Sequence, residues 1–130
     1  DIDKIERRLR VVIDKGLEGN FDLVHQKIQE KVSRLIEKTV NKNAALDAGD
    51  YETLSQKLEF FDLRELQSTI EGKKLWPQFE ETFKNKTELG IKFNQLAEAR
   101  NCIRHSRSLS DNVRKEGEAA VMWFVKVLAL

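Results

Sequence analysis

The chain has 130 residues, 40% of them hydrophobic, which suits one domain with an ordinary core, since a chain of this size buries roughly two-thirds of its unfolded surface. The single cysteine, Cys102, leaves no internal disulfide and no cysteine-based zinc site, so a reducing, cytoplasmic setting without a metal is expected. No apolar run approaches the roughly 20 residues that span a bilayer, so no membrane partner is expected, and 23 Lys and Arg against 22 Asp and Glu give a net charge that by itself indicates no polyanion.

Asp1 in place of a Met, leading at once into a helical pattern, reads as a domain of residues 1–130 taken from a longer protein. Ile2, Ile5, Leu9, Val12 and Ile13 recur at three- and four-residue spacings, one face of a helix that stops at Gly16. Asn20 is an N-cap candidate for a longer helix whose stripe is Phe21, Val24, Ile28, Val32, Leu35, Ile36 and Val40, fading at Asn41-Lys42-Asn43. Asp50 can cap a short third helix carrying Leu54 and Leu58.

Asp62 followed by Glu65 has the form of a capping box, which starts a helix ending at Gly72. The only proline, Pro77, suits the first turn of a helix with Trp76, Phe79 and Phe83 on its apolar side. Thr87 is the cap expected for a helix with Leu89, Phe93, Leu96 and Ile103 on one side, ended by the polar run from Ser106 to Asn112. A last helix, from about Val113 to Ala129, sets Val113, Ala120, Phe124 and Val127 on its core side with Trp123 beside them, and Gly117 within it suggests close helix contact. No segment alternates as a half-buried strand would, so the expected fold is an all-α, up-and-down helical bundle with short kinked helices in the middle of the chain.

The chemically pointed stretch is Arg100-Asn101-Cys102-Ile103-Arg104-His105. Asn101 and His105 are four apart and share a face roughly opposite Leu96, while Arg100 and Arg104 leave from the flank, with side chains long enough to curl round toward the imidazole. Such a set suits RNA cleavage without a metal or other cofactor. The ribose 2′-hydroxyl is already a nucleophile, histidine titrates near neutrality and can move its proton, and a guanidinium matches the phosphate oxygens on which charge builds. One imidazole does not readily serve as base and acid together, and a homodimer would supply two.

Between Arg100 and Lys115 there are five basic residues, Arg100, Arg104, Arg107, Arg114 and Lys115, against one acid, Asp111, a stretch able to hold a phosphate backbone. On charge alone, a solvated helix face accounts for it. The motif has a second reading as well, in which His105 ends its helix against the carbonyl dipole while Arg104 and Arg107 are solvated.

The motif resembles that of the HEPN superfamily, in which Arg, a polar residue that is often Asn, three variable residues and His stand on a late helix of a small bundle. The resemblance extends to Leu58-Glu59-Phe60-Phe61-Asp62-Leu63-Arg64-Glu65-Leu66, to Trp76-Pro77-Gln78-Phe79, and to Leu96 with Ala97-Glu98-Ala99 before the motif. These stretches are similar to the subtype at the C-termini of larger RNA-processing, helicase or defence-associated proteins, and they cover the second half of the chain. The resemblance implies a homodimer whose Arg and His side chains form one composite ribonuclease site. Arg100 would then serve the phosphate and transition state, His105 would be the acid or base and Asn101 would orient them, while the local charge makes Arg104, Arg107, Arg114 and Lys115 the candidates for holding the RNA. Members that do not cleave act as RNA-binding, nucleotide-binding or protein-docking modules, so a non-catalytic module serving RNA, a partner protein or a fused domain is the alternative.

Elsewhere the residues point to structure. His25 has no carboxylate, Cys or second His at ligand spacing and reads as an ordinary helix residue. Cys102 reads as a small packing residue. Trp76, Phe79, Phe83, Trp123 and Phe124 stand at helix spacings and read as core.

Overall fold

Ile5, Leu9 and Ile13 are all fully buried, so the first helix, α1 (Ile2–Gly16), forms where its four-residue spacing places it. The computed structural model describes residues 2–104 and 110–130, and among these it is an all-α helical bundle of seven helices without a strand. After α1 come α2 (Gln26–Lys42), α3 (Leu54–Lys57), α4 (Leu63–Glu71), α5 (Glu80–Phe83), α6 (Lys86–Arg104) and α7 (Asp111–Val127). Turns of 3-10 helix lie at Phe21–Leu23, Ala48–Tyr51, Leu58–Phe60 and Trp76–Gln78, the last with Pro77 in its first turn.

Four helix starts differ from the sequence expectation: Pro77 serves only the 3-10 turn and α5 starts after it at Glu80, and the other three differ each for a local reason. Asn20 does cap, but its side chain accepts the Asp22 N–H at 3.0 Å and closes only the 3-10 turn. Val24 then takes an extended backbone to bury itself, and α2 begins after it with His25 as its cap, Nδ1 accepting the Lys27 N–H at 3.1 Å. Asp50 is the far partner of a capping box on Asp47, whereas Thr53 and Gln56 make the box that starts α3. For α6 the capping side chain is Asn85, which accepts the Glu88 N–H at 2.9 Å, and not Thr87. The box of Asp62 and Glu65 stands at the start of α4 as expected.

The core is one cluster built around α6, which packs on α4, α5 and α7, while α1 packs on α3, α4 and α7. Leu89, Phe93 and Leu96 have no exposure at all, and Ala97, Ala99 and Cys102 extend the buried surface well around the helix. Each fully buried Leu, Ile or Phe contributes about 1.5–3 kcal/mol. The pair α6 and α7 meet closely because Gly117 has no side chain: a Cβ there would lie 2.7 Å from Ala99 Cβ. No helix among the described residues is long and apolar enough to cross a membrane.

Charge pins α2 to the start of α4. Lys31 Nζ lies 2.9 Å from Glu65 Oε1 and 3.3 Å from Asp62 Oδ2, and the hydrogen bond to Glu65, ahead of that to Asp62, raises its pKa above the usual 10.5. A lysine whose folded-state pKa is raised stabilises fully below its unfolded pKa and stops doing so as pH rises through the folded value. The Lys31 side chain is 38% exposed, so solvent screening keeps the effect small. Lys31→Met is therefore expected to cost no more than about 1 kcal/mol at pH 7. Urea melts of the two proteins should converge as pH is raised past 10.5; a gap unchanged at pH 11 would contradict the linkage.

Candidate functional site

The last turns of α6 carry Arg100 to Arg104 of the motif, and burial sorts these members. Cys102 faces inward at 7% exposure and acts as packing, as expected. Asn101 and Arg104 are exposed, and Arg100 is half-buried. Counted at 100° per residue, Arg100 lies within about 40° of the fully buried Leu96. Its side chain goes inward to an ion pair with Glu6 Oε1 on α1 and does not curl toward the outward face. This corrects the expectation from the sequence. The cause is Glu6 itself, 4% exposed, a carboxylate that is costly to bury without a cationic partner. The contact lacks the alignment of a good hydrogen bond, so it holds by charge.

Ile103 departs from the expected core stripe and is 65% exposed. It stands one turn beyond Ala99, where α6 and α7 bound a groove of about 900 Å³ that also reaches Ile2 and Asp3 of α1. Val121 and Met122, the latter 71% exposed, supply apolar lining from α7, and Arg100, Arg104 and Arg114 supply the cations. Arg114 pairs with Asp111 at 3.2 Å but keeps 55% of its side chain in solvent. Helix α7 starts at Asp111 because Ser110 Oγ accepts the Val113 N–H at 3.3 Å.

Of the residues singled out in the sequence, the fold thus gathers Arg100, Arg104 and Arg114 around one groove. Asn101 and Lys115 are exposed and do not line it. His105 and Arg107 lie outside the described residues. Guanidinium groups beside an apolar floor can hold an anion and a flat apolar ring together. Among the described residues no three His, Cys, Asp or Glu side chains are gathered as a metal ion would require.

Glu6 is the residue that the sequence reading missed. A signal was present: Glu6 falls between Ile5 and Leu9 in the buried stripe of α1, seven residues before Ile13, where a charge needs a partner.

The pair makes the two partners unequal as targets. Arg100→Ala strands a buried carboxylate and is expected to cost about 2–4 kcal/mol, below the full value for a buried pair because Arg100 keeps 28% of its side chain in solvent. Glu6→Ala should cost less, since the freed guanidinium can reach water. The double variant Glu6→Leu/Arg100→Leu should recover most of the loss, as apolar replacements of buried pairs often do. Urea denaturation of the three variants checks this, and a double variant no better than Arg100→Ala would show that the pair is not what the single change disturbs.

Comparison with family models, with curated proteins and with solved structures gave no match for this chain.

Proposed function

We propose that the chain is an RNA-directed domain of the HEPN type, a metal-independent endoribonuclease that works as a homodimer with one composite site. The observation that carries this reading is the uninterrupted sequence run from Arg100 to His105, whose residues Arg100 to Arg104 end the late helix α6 beside a groove lined in part by Arg100, Arg104 and Arg114. In this reading His105 moves the 2′-hydroxyl and leaving-group protons, Arg100 offsets charge on the phosphorus oxygens, and Asn101 orients them. Arg104, Arg107, Arg114 and Lys115 hold the backbone. The exposed Ile103 and Met122 fit a seam with the second copy, since neighbouring apolar residues left in solvent mark interaction surfaces. The reaction needs no cofactor, and a reducing cytoplasm suits the lone thiol.

A second reading has its own observation. Arg100 is engaged with Glu6, which favours a non-catalytic module using the groove for RNA or a partner protein, within a larger multidomain protein. The deciding experiment incubates the domain with mixed-sequence RNA in EDTA, maps the product ends and measures the mass in solution. Cleavage leaving 2′,3′-cyclic phosphates from a species of twice the chain mass supports the nuclease. Salt-sensitive RNA binding without turnover at any enzyme level supports the module.

A further inference from the structure

Helix α1 carries five cations, Lys4, Arg7, Arg8, Arg10 and Lys15, and two of them have evident structural work. Arg10 turns inward, donating to Leu58 O at 2.9 Å and Phe61 O at 3.0 Å, where it caps the chain after α3. Lys15 lies in the last turn, where a cation suits the helix dipole. Lys4, Arg7 and Arg8 have neither role. All three are exposed, lie within about 100° of one another around the helix, and have no ion pair among the described residues. Lys4 is moreover in the first turn, where the dipole opposes a positive charge.

Their position adds the second observation. Glu6, between them in sequence, reaches Arg100, and Ile2 and Asp3 line the same groove as Arg104 and Arg114. The outward face of α1 therefore borders the groove that Arg104 and Arg114 help to line. Around the groove the acids offset the cations, since Glu6 is paired with Arg100, Asp111 with Arg114, and Asp3 and Glu118 line it, so the excess positive charge at this end comes from Lys4, Arg7 and Arg8. The main apolar face of α1 is buried in the core, and the outer face carries a single exposed apolar residue, Val11, beside its cations, which suits a polyanion better than insertion into a lipid surface.

We infer that Lys4, Arg7 and Arg8 form a phosphate-backbone track that carries RNA from the groove at the end of α6 onto the outside of α1. The inference rests on the RNA-directed reading above. It extends the binding surface to a helix far in sequence from the motif, and it requires shape and charge but no particular base.

The test is fluorescence anisotropy with a labelled single-stranded 2′-O-methyl RNA, which lacks the hydroxyl that cleavage would need, across a series of KCl concentrations. Removing one cation that neutralises a phosphate should lower the slope of log affinity against log salt by about 0.7 for a single strand, so Lys4→Gln/Arg7→Gln/Arg8→Gln should lower it by about 2. The control Arg34→Gln/Lys38→Gln/Lys42→Gln removes the same charge from exposed positions on α2 and should leave the slope nearly unchanged. If the triple substitution in α1 impairs folding, single variants Lys4→Gln and Arg8→Gln should each show a drop of about 0.7. Equal losses in both triple variants would reduce the effect to net charge and overturn the track. Salt-sensitive binding that the α1 variant leaves untouched would overturn the track alone, whereas a parent chain that binds no RNA would overturn the RNA-directed reading and the track with it.

Discussion

Phe124→Ala is expected to lower the unfolding free energy by about 3–5 kcal/mol, the cost of emptying a buried aromatic site. Phe124 has no exposure, meets Phe93 of α6 edge to face at 5.1 Å between ring centres, and meets Trp123 at 5.0 Å. It thus fills the seam between the two longest late helices, and neither can close over the gap, because Gly117 and Ala99 already hold them at contact. For a chain of this length the melting temperature should fall by roughly 10–20 °C. Phe93→Ala should cost a similar amount, and the double variant less than the two together, by the roughly 0.5–1.5 kcal/mol that an aromatic pair contributes beyond its burial. Thermal and urea unfolding measure all three. A loss under about 1 kcal/mol for Phe124→Ala would mean that this seam is not the core of the bundle.

His105→Ala is expected to reduce RNA cleavage by about 10²–10⁴-fold, the usual contribution of a positioned acid or base. Arg100→Ala would be a poor companion variant. Its loss of activity could come from lower stability, since it strands Glu6 in the interior. Arg100→Lys keeps a cation for Glu6 but loses the flat fork that grips phosphate oxygens. It should melt close to the parent while losing about 10²-fold in cleavage, as when one transition-state donor is removed. Cleavage rates of the three proteins on one RNA, with melting curves alongside, separate these effects. Cleavage by His105→Ala at the parent rate would sink the nuclease assignment, whatever Arg100 does.

The Glu6 pair also shows where reading from sequence stops. Periodicity tells which side of a helix is apolar, and it placed Ile5, Leu9, Ile13, Phe93 and Phe124 in the core correctly. It cannot tell which foreign helix will face a given position. Arg100, at the border of the buried arc, could turn either way, and a carboxylate 94 positions away on another helix decided the direction. Ile103 has the phase of a core residue, yet it stands where the facing helix leaves a groove. The starts of α2, α3 and α6 were missed for a smaller reason: several residues near each start can accept a backbone N–H, and the choice depends on neighbouring turns such as the inward step of Val24.

The sequence by itself determined the all-α class, the apolar faces of α1 and α7 and that of α6 as far as Leu96, the capping box of α4 and the close approach at Gly117, because each follows from local spacing or from one residue's stereochemistry. It also displayed the run from Arg100 to His105 as an order of residues. Only the tertiary structure decided that Arg100 is tied to Glu6, that Arg104 and Arg114 share a groove, and that the first turns of α1 stand at the same end of the bundle. Those relations join residues far apart in the chain, and they are settled by how buried charges find partners and helices find mates, which no local pattern encodes.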